Sequence, residues 1–548
     1  MKKWAITSKV KRAKSKIEEI AKILLANRGI KTKKETEEFL NPPNPYALTA
    51  NRLGIDSQEV AKAVKRIKKA IKSGEKIIVY GDYDTDGVCA TAIMWETLHK
   101  LGAKVMPFIP TRTEGYGLKA EKIEELQREG ISLIVTVDHG IVANNQVKRA
   151  KELGVDVIIC DHHLPEKKKP EALALVHTTR LAGAGVSWFL ASRLGNPGLE
   201  LVTIGTIADV MPLLGPNRSI VKYGLESLHE TKIPGLAALF QAAGIAREKI
   251  GTYEIGFIIG PRLNAAGRME DPMEALRLIC TKDKERAVSL ATKIDEQNRQ
   301  RQLLTEQATL HARSLWLTDD GKRKMIFVSH ESYEEGIVGL VAGKLMEEFY
   351  RPAIIVSKGE KYSRASARST PGFNIIEAIR TCADILGPHG GHPMAAGFTV
   401  ETVKLEELKM RLVKIAEREI NKEKLTPVLK IDMRLDCRQL TLELCEKLTE
   451  LAPFGVGNPE PVFLTRGFLV ADAQLVGANS SHLKLHLTCP SLGIIFEAIG
   501  FGKGNLFSSL SPEAKIDLVY NLSLDTWNGN RRIQLKIKDL KVSDGKRA

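Results

Sequence analysis

The fold of this chain can be read outward from Lys76-Ile77-Ile78-Val79-Tyr80-Gly81-Asp82-Tyr83-Asp84-Thr85-Asp86-Gly87. The first five residues form a short, mainly apolar run with β-branched side chains, which is typical of a buried parallel strand. Three aspartates follow at alternate positions, Asp82, Asp84 and Asp86. Three carboxylates directly after a buried strand are unfavourable unless a cation neutralises them. This segment therefore predicts a cation site on the loop between a strand and a helix.

The alternating aspartates also match the opening of an EF-hand calcium loop. An EF-hand needs a bidentate glutamate at the twelfth loop position, which is Ile93 in this chain. It also needs a helix before the loop, where this chain has the strand-like run that ends at Tyr80. Both differences exclude an EF-hand and leave the aspartates on a turn between a strand and a helix.

The alternation of strand and helix continues after this loop, and it predicts a mainly parallel sheet with helices on both faces. Short apolar runs predict strands at Lys104–Phe108, 133–137 and 156–159, and the intervening residues predict helices at 88–100, 119–128 and 142–153.

Further acidic and imidazole side chains follow other apolar runs, each of which is expected to be a buried strand. They are Asp138, the triplet Asp161-His162-His163, and Asp209. Ligands of open α/β sheets bind at the carboxyl ends of the strands, so we expect these groups and the first aspartates to converge. Mixed oxygen and imidazole ligands suit Mn²⁺ or Mg²⁺, and no nearby cysteine supports a zinc thiolate site. The ligands suffice for two ions, about 3.5 to 4 Å apart and bridged by one carboxylate.

A histidine next to an apolar strand is usually a core residue, and His139 is interpreted in that way. The last imidazole cluster, Gly390-Gly391-His392, lies in a glycine-rich segment much later in the chain.

Length and composition indicate a large, multidomain globular protein. The chain has 548 residues, of which 43% are apolar and 27% charged, and about three or four domains are expected. The sequence contains no apolar run long enough to span a bilayer, and its first residues lack the apolar stretch of a secretory signal, which predicts a cytoplasmic location. Seven cysteines, an odd number with no Cys-x-x-Cys pair, predict reduced thiols rather than a disulfide framework.

The chain is basic, with a net charge of +15 and a pI near 9.3. The first sixteen residues carry seven lysines and arginines and no acid, and the tail from Arg531 to Arg547 is also basic. A single run of charge is usually a solvated surface. Together with the metal motifs, however, the total charge favours a nucleic acid as the partner.

The predicted organisation has five parts, and its third is a connecting helix. No glycine or proline occurs from Met273 to Asp320, and a helix of some 35 residues there would be about 50 Å long, enough to join two lobes. The predicted parts are a helical segment at 1–72, an α/β domain at 73–267, the connecting helix at 268–320, a second α/β domain at 321–424, and a β-barrel at 425–548.

Strict alternation of apolar and polar residues at 482–487 and 533–538 indicates the strands of this barrel, with Asn528-Gly529 as a hairpin turn. A barrel of about 110 residues suits the binding of an oligonucleotide. Trp527 and Phe454 are the candidate residues for stacking against bases.

The chain resembles the RecJ exonucleases of the DHH phosphoesterase family. The four metal motifs match that family, and six further blocks occur in the same order. The resemblance covers nearly the whole chain, including the barrel. The further blocks are Leu24-Leu25-Ala26-Asn27-Arg28-Gly29-Ile30, Glu114-Gly115-Tyr116-Gly117, Gly183-Ala184-Gly185-Val186, Pro261-Arg262-Leu263-Asn264-Ala265-Ala266-Gly267-Arg268, Gly391-His392 with Ala395-Ala396-Gly397, and Pro453-Phe454-Gly455-Val456-Gly457-Asn458-Pro459.

The resemblance implies a 5′→3′ exonuclease of single-stranded DNA that acts in repair and recombination, with two Mn²⁺ or Mg²⁺ ions. A helicase and a single-strand-binding protein are the implied partners, and a monomer without membrane contact is expected. The implied metal ligands are Asp82, Asp84, Asp86, Asp138, His162 and Asp209. The implied catalytic residues are Asp138 as the bridge, His162, and His163 facing the scissile phosphate. The implied substrate-binding residues are Arg112, Arg262 or Arg268, Ser366 and Arg368 at the 5′-phosphate, together with Asn264 and His392.

Two rival functions remain at this point. One is a DHH phosphoesterase of short oligonucleotides, phosphoadenosine phosphate or a cyclic dinucleotide, although smaller relatives of that kind lack the barrel and the basic N-terminus. The other is a non-catalytic DNA-binding scaffold, which the complete set of expected ligands disfavours.

Overall fold

The computed structural model describes residues 2–7, 16–112, 114–115, 117–319, 321–525 and 531–543. Its α-helices are α1 (Ile17–Asn27), α2 (Lys33–Leu40), α3 (Ala50–Leu53), α4 (Ser57–Lys72), α5 (Thr85–Lys100), α6 (Ala120–Arg128), α7 (Asn144–Glu152), α8 (Gly183–Ala191), α9 (Glu200–Ala208), α10 (Gly215–His229), α11 (Pro234–Ala242), α12 (Thr252–Glu254), α13 (Gly260–Met269), α14 (Met273–Cys280), α15 (Lys284–Thr318), α16 (Val338–Phe349), α17 (Ile375–Arg380), α18 (Leu405–Glu419) and α19 (Leu442–Thr449). A π-helical turn, Ile255–Ile259, joins α12 to α13.

The strands form four sheets. They are β1 (Lys3–Ile6), β2 (Lys76–Tyr80), β3 (Lys104–Phe108), β4 (Ile131–Val137), β5 (Asp156–Asp161), β6 (Ala174–His177), β7 (Ile326–His330), β8 (Ala353–Ser357), β9 (Tyr362–Arg368), β10 (Leu386–His392), β11 (Ala395–Glu401), β12 (Val428–Ile431), β13 (Met433–Arg434), β14 (Val462–Val476), β15 (His482–Thr488), β16 (Ile495–Gly500), β17 (Lys515–Asp525) and β18 (Arg532–Val542).

The chain divides into two compact units. The first unit comprises residues up to Lys3, Asp56–Ala208 and Leu228–Pro427. The second comprises Trp4–Ile55, Asp209–Ser227 and Val428 onward.

The first unit contains the predicted parallel sheet. Its strand order is β3-β2-β4-β5-β6, and every pairing within it is parallel. The central strands β2 and β4 are almost wholly buried because helices cover both faces, which explains their continuous apolar sequence. Crossover helices α5, α6 and α7 connect the strands, so the carboxyl ends of β2, β4 and β5 lie at one edge. The prediction of a doubly covered parallel sheet is confirmed.

One predicted strand is wrong. The apolar run before Asp209 forms helix α9 rather than a strand. Residues 201–206 of this helix are all buried, so the helix has no exposed polar face. Its sequence therefore lacks the alternation of apolar and polar residues that indicates an amphipathic helix.

A long connecting helix of 35 residues is confirmed as α15, but it is shorter than the predicted range 268–320, since α13 ends at Met269 and α14 is a separate helix. The carboxylate of Asp283 caps its N-terminus by accepting from the backbone N–H groups of Glu285 and Arg286. The first half of α15 packs against α11, α13 and α14, and its second half packs against α16 and β7. The helix therefore links the parallel sheet region to the second lobe within the same unit.

The second lobe has a five-stranded sheet of order β10-β11-β9-β8-β7. Only β7 and β8 pair in parallel, and the other pairings are antiparallel. Helices α17 and α18 cover one face, and α15 and α16 cover the other. Strand β10 is the edge and is largely exposed, because its sequence Leu386 to His392 is rich in glycine.

The second unit contains the C-terminal barrel. Five strands, β14 to β18, each pair with two others of the set, in the order β14-β15-β16-β18-β17 and back to β14. Alternate residues of β15 are buried, as its sequence predicts. Phe454 is half-buried and packs against the barrel core, whereas Trp527 and the Asn528-Gly529 turn lie outside the described residues.

Two more expectations are wrong. The N-terminal segment is not wholly helical, since Lys3–Ile6 is a strand paired with β12. The cysteines are not all reduced thiols, because Cys437 and Cys489 form a disulfide, while the five other cysteines are free. The two partners are 52 residues apart and only the barrel brings them together, so no local spacing indicates the bond. None of the described helices has the length and apolar character needed to cross a membrane.

Candidate metal centre and anion site

The aspartate loop after β2 is held by contacts with three helices. Asp84 caps α5 by accepting from the backbone N–H of Gly87 at 3.0 Å. The backbone N–H of Thr85 donates to Oδ1 of Asn264 in α13 at 2.9 Å. The two carboxylate oxygens of Asp86 accept from the first two backbone N–H groups of α8, at 2.7 and 3.0 Å. An anion at a helix N-terminus is favourable, so these contacts hold the loop in one conformation.

All six predicted metal ligands meet at the carboxyl edge of the sheet, together with His163. Asp209 directly follows the last residue of α9, which sets its position. The ligand atoms form three overlapping groups, and within each group they lie within 4.8 Å of one another. We call these residues the acidic cluster. The groups are Asp82, Asp84 and Asp138; Asp138, His162 and His163; and Asp86, His162 and Asp209.

Burial makes the negative charges of this cluster unfavourable. Burial, together with the neighbouring carboxylate of Asp84, raises the pKa of Asp82 to about 8. Burial also raises the pKa of Asp138 well above its usual value, and the nearby carboxylates of Asp86 and Asp84 raise it further. Oδ1 of Asp82 is buried and accepts no hydrogen bond from any described residue. A divalent cation would provide the missing positive charge and bind that oxygen, so these residues fit a metal ion.

Asp138 occupies an unusual backbone conformation. Its φ is 66°, in the left-handed region that few residues other than glycine adopt. A Cβ on Gly183 would lie 2.3 Å from Oδ1 of Asp138, so a glycine at the start of α8 is required for this carboxylate to fit. Strain of this kind persists only where the surroundings enforce it, and it is common at functional sites.

The histidines differ in their surroundings. Burial, with the neighbouring His163, lowers the pKa of His162 to about 4, so His162 is neutral and can donate a lone pair to a metal. Nε2 of His162 lies 3.1 Å from Oδ1 of Asp138. His139 is fully buried, and its Nε2 lies 2.9 Å from the backbone oxygen of Tyr80. His139 is thus the core residue that the sequence indicates.

Asp161 is a site residue for which no separate role was predicted. Its Oδ1 lies 2.8 Å from Nδ1 of His163, and its Oδ2 accepts from the backbone N–H of Ile141 at 2.8 Å. Burial alone would raise the pKa of Asp161, but the hydrogen bonds from His163 and Ile141 outweigh it and hold the pKa below its usual value. The ionised carboxylate therefore orients the His163 ring. Its signal in the sequence was its place directly before the two histidines.

Four arginines form a second site beside the acidic cluster, and we call them the arginine cluster. Burial lowers the pKa of Arg268 to about 10, and the charges of Arg112, Arg301 and Arg368 contribute to this lowering. At neutral pH the arginines nevertheless remain charged. The guanidinium of Arg112 lies over the ring of Tyr83, 4.7 Å from the ring centroid. Tyr83 is the residue between the first two aspartates of the loop.

The remaining contacts join the arginine cluster to the second lobe. Arg268 donates to the backbone oxygen of Gly336 at 3.0 Å, and Arg368 donates to Oγ of Ser366 at 3.0 Å. A Cβ on Gly339 would lie 3.0 Å from Ser366 Oγ and 3.1 Å from a guanidinium nitrogen of Arg368. The first turn of α16 therefore packs directly against these two polar groups.

Arg301 in α15 is a member of the arginine cluster that was not predicted from the sequence. Its Nε is buried without a hydrogen-bond partner among the described residues, and burial lowers its pKa. The sequence feature that could have indicated Arg301 is the lack of a carboxylate with which it could pair on the helix. The residues three positions away are Asn298 and Leu304, and those four positions away are Gln297 and Thr305.

Two predicted substrate-binding residues have other contacts, and their roles in substrate binding stay predictions. Nε and one terminal nitrogen of Arg262 lie 2.9 Å from Oδ1 of Asp295 in α15, so this guanidinium is occupied by an ion pair. His392 ends the exposed edge strand β10 and belongs to none of the three ligand groups.

Comparisons with known proteins match this architecture along the chain. The DHH family N-terminal domain matches residues 76–210, the DHHA1 domain matches residues 322–422, and the RecJ OB domain matches residues 431–539.

Several curated relatives are named single-stranded-DNA-specific exonuclease RecJ. The Bacillus subtilis protein is 37% identical over 95% of this chain and 68% of its own length. The Escherichia coli protein is 30% identical over 94% of this chain and 95% of its own length. A crystal structure of RecJ in complex with Mn²⁺ from Thermus thermophilus has a TM-score of 0.83 at 30% identity, covering 99% of this chain and 80% of that one. The chain therefore belongs to the RecJ family of single-stranded-DNA-specific exonucleases.

Proposed function

We propose that this chain is a metal-dependent exonuclease that degrades single-stranded DNA in the 5′→3′ direction and releases 5′-mononucleotides. The observation that carries the proposal is the presence of two neighbouring sites of opposite charge. The acidic cluster suits divalent cations, and the neighbouring arginine cluster suits the phosphate groups of a strand. The names of the relatives support the same substrate class.

Mn²⁺ or Mg²⁺ would be held by Asp82, Asp84, Asp86, Asp138, His162 and Asp209. Such ions, when bound, supply an activated water and neutralise charge on the attacked phosphate. Asp138 and His162 each belong to two of the three ligand groups, and Asp138, whose carboxylate has two oxygens, would be the residue able to contact more than one ion. The neutral state of His162 leaves its lone pair available at neutral pH.

His163 would face the scissile phosphate. Because Asp161 accepts at Nδ1 of His163, the Nε2 atom is directed away from Asp161. In its protonated form the imidazole would donate a hydrogen bond from Nε2 to a phosphate oxygen, and the Asp161 carboxylate would orient the ring and stabilise its positive charge.

The arginine cluster would bind the 5′-terminal phosphate. Guanidinium groups bind phosphate oxygens through two parallel N–H donors, which a lysine cannot offer. Arg112, Arg268 and Arg368, with Ser366, come from both lobes of the first unit, so a bound phosphate would bring together groups that otherwise repel one another. Such a site would favour a strand end, because an internal phosphate is bonded to a nucleotide on each side, whereas a terminal phosphate is bonded to one only.

The barrel of the second unit would add contacts to the strand, which suits the basic character of the chain. We further propose that the protein acts as a cytoplasmic monomer in repair and recombination, beside a helicase and a single-strand-binding protein. Affinity for DNA should fall as salt rises, in proportion to the number of phosphates contacted.

Digestion of end-labelled DNA in Mn²⁺ tests the proposal. We expect a 5′-label on a single strand to be released at once as mononucleotide, a 3′-label to stay on a shrinking strand, and a duplex to resist. Faster cleavage of a dinucleotide than of a long strand would indicate a small-substrate phosphoesterase instead. Absence of Mn²⁺ binding in a titration would favour a non-catalytic scaffold.

A further inference from the structure

Two aromatic side chains of the first unit are stacked on each other and exposed to solvent. The ring centroids of Tyr253 and Phe257 lie 5.0 Å apart, with 27° between the ring planes. Tyr253 is 62% exposed and Phe257 is 71% exposed, which makes Phe257 the most exposed aromatic side chain of the described residues. We call these two residues the aromatic pair. It is distinct from Trp527 and Phe454, the residues that the sequence favours for base stacking.

The aromatic pair lies on a helical segment fixed to the metal loop. Tyr253 is in α12, and Phe257 is in the π-helical turn that leads into α13. The backbone oxygen of Gly260, three residues after Phe257, accepts a hydrogen bond from Oγ1 of Thr85 at 2.9 Å. Thr85 lies between two aspartates of the acidic cluster. Since a helix rises about 1.5 Å per residue, Phe257 is roughly one turn from this contact and Tyr253 roughly two.

The same segment packs against the helix that positions Asp209. A Cβ on Gly256 would lie 3.8 Å from the side chain of Ile207, and one on Gly260 would lie 3.4 Å from Ala208. Residues 253 and 257 each precede one of these glycines by three positions, so they lie beside the face that contacts α9 rather than on it. The aromatic pair is therefore next to the packing contact between this segment and α9.

Packing within the protein does not account for this arrangement. Single exposed hydrophobic residues are common on protein surfaces and need no explanation. Here two large rings form one continuous exposed surface, whereas the edge-to-face pair of Tyr80 and Phe108 packs against the interior of the same unit. The segment also contains a π-helical turn, a feature that is rare and concentrated at functional sites.

We propose that the aromatic pair is a stacking platform for a nucleobase of the strand whose phosphodiester lies at the acidic cluster. The inference rests on the proposed function, because it takes single-stranded DNA as the substrate. Aromatic rings stack on any of the bases, so the platform would hold the strand without reading its sequence. The arginine cluster binds phosphate, and the aromatic pair would hold a base, so together they would fix one nucleotide at both ends.

The test compares protein variants on two matched strands. One is a 5′-phosphorylated oligonucleotide, and the other has the same backbone with abasic residues at its first four positions. Tyr253→Ala and Phe257→Ala remove the rings, whereas Tyr253→Phe and Phe257→Tyr keep them. Tyr362→Ala, which removes another exposed ring of the same unit, is the control. Both kcat and KM are measured in Mn²⁺.

We expect each alanine variant to lose roughly 5- to 100-fold in kcat/KM on the normal strand, mainly through KM, because stacking contributes to binding. On the abasic strand the same variants should match the wild type within about twofold, since no base is left to stack. Tyr253→Phe and Phe257→Tyr should retain most of the activity on the normal strand. The control should behave like the wild type on both strands.

An equal loss on both strands would overturn the platform, because a merely structural role does not depend on the bases. No loss on either strand would overturn it as well. If the wild type failed to digest the normal strand, the proposed function would be contradicted instead. The affinities of the same variants for the two uncleaved strands, measured in EDTA by fluorescence anisotropy, would then decide the platform separately: an alanine loss confined to the normal strand supports it, and equal affinities overturn it.

Discussion

The acidic cluster and the arginine cluster are neighbours that concentrate charge of opposite sign. They differ in how they can relieve internal repulsion. Carboxylates can take up protons, as the raised pKa values of Asp82 and Asp138 indicate, whereas guanidinium groups stay charged near neutral pH. The acidic cluster can therefore relieve its charge repulsion by binding protons, whereas the arginine cluster can relieve its repulsion only by binding an anion. This difference implies that the charge of the acidic cluster, and with it the metal affinity, depends on pH, whereas the charge of the arginine cluster does not change near neutral pH.

The largest expected effect is at the carboxylate shared by two ligand groups. Asp138→Asn should lower kcat for digestion of a single strand by roughly 10³-fold or more, because a neutral amide cannot hold the cations. Asparagine is the suitable replacement, since it tolerates the left-handed backbone at this position better than alanine. DNA binding should persist because the arginine cluster is unchanged. Asp271→Asn, an exposed carboxylate of the same unit, is the control, and equal activities of the two variants would contradict the metal site.

The next effect concerns stability of the metal-free protein. The pKa of Asp82 is about 8 in the folded state, above the usual value of 3.8, so the folded protein holds a proton that the unfolded chain releases between these values. The bound proton contributes to the free energy of unfolding, and this contribution is complete below about pH 4 and is lost as the pH rises through 8. Because one unit of pKa shift corresponds to about 1.4 kcal/mol, the unfolding free energy in EDTA should fall by a few kcal/mol from pH 5 to 8.

Thermal unfolding at several pH values, with EDTA or Mn²⁺, measures this effect. Mn²⁺ should restore the stability lost at high pH, because cations bind the ionised carboxylates. Asp82→Asn should give a flatter profile in EDTA, since it removes one of the titrating carboxylates. A wild-type profile in EDTA that does not change with pH would show that the carboxylates do not interact as the structure indicates.

A smaller effect is expected in the arginine cluster. Arg368→Ala should raise KM for a 5′-phosphorylated strand by roughly 10- to 100-fold, because it removes charge-assisted hydrogen bonds to phosphate. A strand with a 5′-hydroxyl should be affected much less. Arg364→Ala is the matched control, since Arg364 lies on the same strand β9 but is exposed and paired with Glu335. The same loss on both strand ends would argue against binding of the terminal phosphate.

The sequence predicts the parallel sheet and the acidic cluster well for a physical reason. Buried parallel strands are apolar on both faces, so β2 is visible as a run with a sharp end, and the structure has the predicted residues for it and for the edge strand β3. Carboxylates after such runs must lie at one edge because parallel strands share their direction. The convergence of Asp82, Asp138 and His162 follows from topology without knowledge of side-chain packing.

Positions that depend on tertiary contacts could not be obtained in this way. Arg262 and Arg268 are six residues apart on one helix and so lie about 120° apart around its axis. The first forms an ion pair with Asp295 and acts on Arg301, whereas the second lies among Arg112, Arg301 and Arg368. The sequence could not choose between them because the choice depends on the place of α15. The strand expected before Asp209 failed for a related reason, since a helix buried on all sides is as uniformly apolar as a buried strand.

The smallest expected effect is at Arg301, where stability and function should change in opposite directions. Its Nε is buried without a partner among the described residues, and its charge acts on Arg268. Arg301→Met keeps an unbranched side chain as far as the position of Nε and removes the guanidinium and its charge. The unfolding free energy of the DNA-free protein should therefore rise by about 0.5 to 1 kcal/mol, because an unsatisfied buried donor and a repulsion are both removed.

The same substitution should raise KM for a 5′-phosphorylated strand by about 3- to 10-fold, since one of four positive charges around the phosphate is lost. Arg299→Met is the control on the same helix. Arg299 is exposed and pairs with Asp295, so its loss should change stability by less than about 0.5 kcal/mol and leave KM unchanged. Denaturant unfolding and steady-state digestion measure both quantities. If Arg301→Met destabilised the free protein, Arg301 would be a structural residue, and the arginine cluster would reduce to the three arginines that the sequence already indicates.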